Sequence, residues 1–534
     1  MKSTASDTQT SQVAASRWVL LGILLLAGFL RLYKLDLISV SNDTAFQELT
    51  ALTALSLEGW EWPLAGPPTE AVRSSAFLVS AIALAHIVWW HPFSGIVVVI
   101  ALNLCAVAVT YRLCAKQFGF QVAAISTLLY ASSPWGVLYA RLPLASSCLA
   151  VFSVWLVHLS LRWLDEKGNK KLAMMVVLGF AIPQIHFSGI WVPLWLMVVL
   201  YLGRKQISYP SLVAGGVLGA IIWAPWIRFH QVTRWAELKT WAGQIFLSPE
   251  AHGRAFLASI NHLQCMLHSS NFDYWFGGSP SQWPEYFPAW QRWAWGISAV
   301  LLSAALLMSL IPMMSRTADR PIRLLLLWVA LPVLFGTLLR TGLSPENMLA
   351  AYPIPFVLVG AMAVRWQARI PPRIRFAPIV AAVMISVMHV VFLASWAQFL
   401  DDGRASSRGR YELSYRQRQV TIQSILEDAF PGRVQLVGAF SGWYPAYEYV
   451  LSYERSNQND TLDQQDEPVY YWIDEQPPTA GLSEVAWKNQ KERQINREIS
   501  AYLRTPPDWE IERHWLVEKS RVYRLRLAEK KPLR

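Results

Sequence analysis

The sequence predicts a polytopic α-helical membrane protein: about eleven transmembrane helices plus interfacial helices, followed by a small C-terminal soluble α/β domain. Three observations predict it. Of 534 residues, 54% are hydrophobic and 16% charged, where soluble domains carry about 25% charged. Mean hydropathy is +0.27, and the apolar residues gather in segments of spanning length. The charges are split: residues 1–399 hold 27 Lys and Arg against 15 Asp and Glu, and residues 400–534 hold 20 against 21. The positive excess thus sits on the hydrophobic part, where it marks membrane orientation. This composition excludes a disordered chain, a collagen and an ordinary cytosolic enzyme. No basic stripe interleaved with aromatics argues for nucleic acid.

The chain opens with a polar, cytoplasmic segment, 1–17. An apolar run from Trp18 to Leu30 follows. No small-x-small cleavage site comes after it, so it reads as an uncleaved first span rather than a signal peptide. A hydrocarbon core about 30 Å thick needs ~20 apolar residues. Twelve segments qualify or come close: 18–35, 74–92, 95–113, 120–140, 144–162, 171–186, 188–203, 211–228, 293–314, 322–339, 350–365 and 376–398.

Charge decides how many cross. If all twelve cross from an inner N-terminus, five positive clusters face outward: Arg112/Lys116, Lys167/Lys170/Lys171, Arg204/Lys205, Arg316/Arg320/Arg323 and Arg365/Arg369/Arg373/Arg375. That violates the positive-inside rule each time. If segment 74–92 instead lies in the outer leaflet, all five move inside, giving 17 basic residues within and 10 outside over residues 1–399. Its His86, Trp89, Trp90, His91 and Pro92 suit an interface. The transmembrane domain then covers 18–399, with outer loops 36–94 and 229–292. Residues 400–534 form an extracytoplasmic domain, with strand-like stretches at 433–440, 469–473 and 521–527 and a helical one at 413–429. Asn457–Gln465 reads as a polar loop. Cys105, Cys114, Cys148 and Cys265 form no CxxC and indicate neither a metal site nor a disulfide framework.

Acids are scarce enough to be informative. Eleven of the fifteen in residues 1–399 fall on the outer face: Asp36, Asp43, Glu48, Glu58, Glu61, Glu70, Glu237, Glu250, Asp273, Glu285 and Glu346. None lies deep in a span, where a proton-coupled carrier would place one. Chemistry at the outer membrane–water boundary fits better. Asp43 stands just ahead of a helical stretch, about Ala45 to Leu57. A carboxylate there can take a proton from an attacking hydroxyl or amine. The alternative is that Asn42 or Asp43 caps that helix.

The stretch from the first span through Arg31, Leu35 and Asp43 resembles the first outer loop of GT-C glycosyltransferases. This class of polytopic enzymes takes sugars from polyprenyl phosphates, and it includes protein mannosyltransferases and the aminoarabinose transferase of lipid A. Its members commonly carry R-x-x-x-L and then a pair of acids; here Thr44 stands where the second acid is common. Lys116–Gly119, Ser132–Arg141, Pro183–Gly189 and Asn347–Pro355 are similar to further stretches of the class, so the likeness covers about 18–365. An acid often found after the Tyr-x-Arg segment is absent, Pro143–Ser146 occupying that region. The tail from 400 resembles nothing. Charge parity puts seven spans before the second outer loop, and the class shares a seven-helix module.

The resemblance implies an inverting transferase at the outer face, fed by a polyprenyl-phosphate-linked sugar held in the lipid bilayer. Asp43 would be the general base. Arg141 would bind the donor phosphate, unless it is a snorkelling helix-end cation. His186 would meet phosphate or acceptor or ligate a metal, unless it is a structural residue. Glu48 would be a second acid at i+5. Asn347 and Tyr352 would contact the donor or cap a loop. The acceptor, whether lipid, protein or polysaccharide, is unassigned. A divalent metal is left open, no ligand spacing indicating one. His252, His262 and His268 with Asp273 match no metal template and read as solvated loop residues. Trp223, Trp226, Trp241, Trp283, Trp290, Trp293 and Trp295 read as an aromatic belt, a few stacking on sugar. Two rivals stand: a transporter or flippase of lipid-linked glycans, and a non-catalytic relative acting as an assembly partner. The expected location is a bacterial inner membrane.

Overall fold

The structure is a computed structural model that describes residues 3–56, 65–66, 73, 75–247, 255–269, 283–311, 319–338, 348–402, 413–429, 432–439, 444–457, 468–474, 491–496, 509–517 and 520–527. It divides into two compact units. The first takes Met1–Leu35, Thr50–Phe272 and Ser281–Ser395; the second takes Asp36–Leu49, Asp273–Pro280 and Trp396–Arg534.

The helices run, in order, α1 (Ser3–Leu32), α2 (Asn42–Ser56), α3 (Phe77–Val88), α4 (Ser94–Phe118), α5 (Phe120–Ser132), α6 (Pro134–Tyr139), α7 (Leu149–Glu166), α8 (Asn169–Ile185), α9 (Val192–Leu202), α10 (Tyr209–Val232), α11 (Ala236–Leu247), α12 (Ala255–His268), α13 (Trp283–Tyr286), α14 (Ala289–Met308), α15 (Arg320–Leu338), α16 (Ile354–Gln367) and α17 (Ala377–Asp401). Among the described residues, five helical stretches are long and apolar enough to cross a membrane: Ser94–Phe118, Ala145–Glu166, Tyr209–Val232, Arg320–Leu338 and Pro372–Asp401. The chain is an integral membrane protein.

Local chemistry sets the breaks. Gly119 has φ +91, a conformation open to glycine, and it separates α4 from α5. Segment 120–140, expected as one span, is divided at Ser133. That residue precedes Pro134 and is held extended (ψ 126), so α5 ends and Pro134 starts α6. Segment 74–92 is helical only over the 12 residues of α3, about 18 Å.

Small residues bring helices of the first unit close. A Cβ on Gly215 of α10 would lie 2.7 Å from the Ala173 carbonyl oxygen of α8, and one on Gly219 would lie 2.7 Å from Phe180. Gly360 of α16 leaves the same kind of room for Ser126 of α5. This small-xxx-small contact drives packing where lipid removes the hydrophobic incentive. The remainder of α10 turns Val213, Val217, Leu218, Ile221 and Ile222 outward. At one end of the helices Glu166 meets Lys116 (2.9 Å), Arg162 (2.7 Å) and Lys171 (2.6 Å), and Asp165 pairs with Arg320.

The second unit carries a four-stranded sheet, β1 (Arg433–Ala439), β2 (Pro468–Asp474), β3 (Trp509–Val517) and β4 (Ser520–Leu527), in the order β1-β2-β4-β3. β1 and β2 are parallel, the other pairs antiparallel. Two helices accompany it, α18 (Tyr415–Ala429) and α19 (Tyr444–Asn457). Trp472, Ile495, Trp509, Ile511, Tyr523 and Leu525 form a buried core. Strand β3 and helix α19 were not read from the sequence. The alternation of β3 is broken by Glu510, Glu512, Arg513 and His514, and α19 carries Glu448, Glu454 and Arg455 among its tyrosines.

Candidate functional site

In the first unit, the end of α1 is stitched to the α5–α6 region from both sides. Arg31 is fully buried. Its Nε donates to Asn103 Oδ1 at 2.7 Å, and its Nη1 donates to the carbonyls of Ala27 (3.0 Å) and Ala131 (2.9 Å). The Nη2 reaches the Gly136 carbonyl at 3.4 Å. Asn103 in turn donates to the Tyr130 hydroxyl at 3.1 Å. Arg141 returns the connection: its Nη2 donates to the Lys34 carbonyl at 2.6 Å. Lys34 has φ +48 and closes the end of α1. One edge of the Arg141 guanidinium is thereby fixed by the backbone three residues beyond Arg31.

Tyr352 belongs to the same neighbourhood. It is buried, its ring centroid lies 5.3 Å from that of Tyr130, and its hydroxyl meets Ser133 Oγ at 2.5 Å. The structure therefore brings Arg31, Tyr352 and the Ser133–Arg141 segment together. Asn347 lies outside the described residues.

His186 follows α8 in extended conformation. The Ser188 backbone N–H donates to its Nδ1 at 3.1 Å, and the Ser188 hydroxyl lies 2.7 Å from the same atom. An accepting Nδ1 leaves the ring proton on Nε2. The ring thus builds its own turn.

Asp43 and Glu48 belong to the second unit. The capping alternative is corrected by a neighbour. Ser41 precedes α2, its Oγ accepts the Thr44 N–H at 3.2 Å, and its carbonyl accepts the Thr44 hydroxyl at 2.9 Å and the Ala45 N–H at 2.9 Å. Ser41 is the cap, not Asn42 or Asp43. Thr44, which stands in the place of a second acid, is buried and serves this turn. Asp43 falls in the first turn of α2 and is exposed. Glu48 is only 1% exposed. Burial first, and then its charge, push the Tyr449 and Tyr453 phenols up.

Sequence reasoning missed Asn103 and Ser41. An Asn within an apolar span was the available signal for the first, and a Ser-x-x-Thr run before a helix for the second. His262 and His268 lie on α12, half-buried, rather than in a solvated loop; His252 and Asp273 lie outside the described residues. Trp295 is buried against Phe392 at 4.6 Å and is no part of an exposed belt, whereas Trp290 and Trp293 are exposed. Among the described residues no three His, Cys, Asp or Glu side chains gather as a metal site.

No protein-family profile and no curated protein matches the sequence. Solved structures do. The crystal structure of ArnT from Cupriavidus metallidurans bound to undecaprenyl phosphate superposes with a TM-score of 0.55 at 12% identity, covering 96% of this chain and 98% of that one. Its apo state gives 0.55 and 12% over 97% and 98%. The Archaeoglobus fulgidus oligosaccharyltransferase tethered with an acceptor peptide gives 0.47 at 12% over 86% and 68%. The fold is that of the ArnT structures. The polytopic helical architecture expected from the sequence is that of ArnT over nearly the full length of both chains.

Proposed function

We propose that this chain is an inverting glycosyltransferase that moves a sugar from a polyprenyl-phosphate donor to an acceptor on the extracytoplasmic face. The observation that carries the reading is the full-length likeness to ArnT, whose structure holds undecaprenyl phosphate. Two local features support it: an exposed carboxylate in the first turn of a helix capped by another residue, and a guanidinium anchored by a backbone carbonyl.

Asp43 takes the proton of the acceptor hydroxyl or amine as that atom bonds to sugar C1. The C1–oxygen bond to phosphate breaks, and its electron pair leaves on the polyprenyl phosphate. Charge grows on that oxygen, and Arg141 is the residue assigned to meet it. Charge-assisted Arg–phosphate contacts are among the strong hydrogen bonds. His186 presents its Nε2–H to phosphate or acceptor. Asn347 takes the donor-contact role. Glu48 and Tyr352, both buried, serve as supporting residues.

The charge distribution supports eleven spans across a bacterial inner membrane, with residues 1–17 cytoplasmic, a transmembrane domain over 18–399 and an extracytoplasmic α/β domain over 400–534. α3 is placed along the outer leaflet by the charge count, and it exposes Leu84, Ile87 and Val88 beside Trp89 and Trp90. The sugar class follows no feature of the chain. Replacement of Asp43 tests the mechanism. Asp43→Asn should reduce sugar transfer in membranes by at least ~100-fold while insertion and melting temperature stay as in the wild type. Unchanged transfer removes Asp43 as base.

A further inference from the structure

We propose that the C-terminal unit is the positioning device for Asp43, with Arg416 as the positioning residue; this rests on the assignment of Asp43 as base. Residues 36–49 belong to the same compact unit as 396–534, although roughly 350 residues or more separate them in sequence from the segments they meet. Three attachments hold them.

First, 38–40 pairs as a short antiparallel strand with 413–415. Ser39 bridges Ser414, the Val40 N–H donates to the Leu413 carbonyl at 3.3 Å, and the Tyr415 N–H donates to the Ile38 carbonyl at 2.8 Å. Ile38, Val40, Leu413 and Tyr415 are buried around it. Second, Arg416 forks between two carboxylates. Its Nε donates to Asp36 at 2.5 Å and its Nη1 to Asp401 at 2.5 Å. Third, the first turns of α2 are packed into the protein, with Ala45, Gln47 and Glu48 buried.

Asp43 stands between the second and third attachments with its side chain outward, while Thr44, Ala45, Gln47 and Glu48 beside it are buried. The chain is therefore fixed on both sides of the one exposed acid of that turn. A base is effective only when held within hydrogen-bond reach of the proton it removes, and a displacement of about 1 Å can cost 100-fold. The tail, which resembles no known domain in sequence, thereby acquires a role: it sets where that carboxylate points. The Arg416 fork is half exposed, so it tunes the segment rather than holding the unit together.

The test uses full-length protein in proteoliposomes. Arg416→Asp reverses the charge facing Asp36 and Asp401, and the double variant Asp36→Arg with Arg416→Asp restores one pair. Three readouts are taken: amide hydrogen exchange of peptides covering 36–49, affinity for undecaprenyl phosphate, and turnover of the lipid-linked donor. The expected result for Arg416→Asp is exchange of 36–49 faster by roughly tenfold, turnover down by roughly tenfold and lipid affinity unchanged, with the double variant recovering both changed quantities. Unchanged exchange in 36–49, or faster exchange with turnover intact, overturns the proposal. A loss of lipid affinity equal to the loss of turnover also overturns it, because that marks general disruption. Failure of the base assignment shows separately, as full turnover by Asp43→Asn.

Discussion

A guanidinium buried among helices must find acceptors for its N–H donors, and Arg31 places four of the five on Asn103 and on the backbone carbonyls of Ala27, Ala131 and Gly136. Arg141, ten residues on from Ala131, is held differently, with one edge anchored on the Lys34 carbonyl. The two arginines should therefore fail differently. Arg31→Ala strands those acceptors and should cost about 1.5–3 kcal/mol, seen as a lower melting temperature in detergent, and Arg31→Lys should not restore it. Arg141→Gln loses a single anchoring hydrogen bond, so it should lower the melting temperature less than Arg31→Ala does, yet bind undecaprenyl phosphate roughly tenfold more weakly, about 1.4 kcal/mol, by native mass spectrometry. Equal binding would remove Arg141 as the phosphate ligand. At this scale the sequence showed residue types but not partners. Arg31 was visible only as a motif position, and its acceptors lie 72 and 100 residues away on Asn103 and Ala131. Ser41 was invisible as a cap because two equally good capping residues, Asn42 and Asp43, follow it directly.

Elements were more legible, since hydropathy marks a helix without reference to its neighbours. The apolar segments read at 95–113, 211–228, 322–339 and 376–398 correspond to α4, α10, α15 and α17 to within a residue over the described part of the chain. What hydropathy does not register is the backbone. The Ser133–Pro134 break lies inside an unbroken apolar run, and only the restriction that proline places on the preceding residue reveals it. The second unit was harder, because its elements are short and mixed in polarity. β4 alternates over Tyr523-Arg524-Leu525-Arg526-Leu527, whereas β3 is interrupted by its run of charges. Helix pairing yields its own prediction. Gly215→Ala places a methyl against the Ala173 carbonyl and Val176 of α8 and should destabilise by about 1–3 kcal/mol. Gly216→Ala, with nothing within 4 Å of its Cβ, should be neutral or stabilising. Equal melting temperatures for the two variants would show that α8 and α10 do not meet there.

Across the whole molecule, the proposed orientation rests on the distribution of Lys and Arg, and it predicts that a cysteine at Lys167 is shielded from impermeant reagents applied outside the cell; labelling there would overturn the eleven-span topology. The fold likeness covers 96% of a chain whose sequence matches no family profile. That is a familiar asymmetry: apolar helices of many sequences pack alike, so architecture persists at 12% identity. Function rests on whether lipid-linked sugar is broken or merely moved. Purified protein in sealed liposomes, given undecaprenyl-phosphate-linked hexoses and pentoses with candidate acceptors, should liberate undecaprenyl phosphate in step with glycosylated acceptor, with no release from Asp43→Asn. Transbilayer movement of the intact lipid-linked sugar without any liberated undecaprenyl phosphate would contradict the account and leave a transporter in its place.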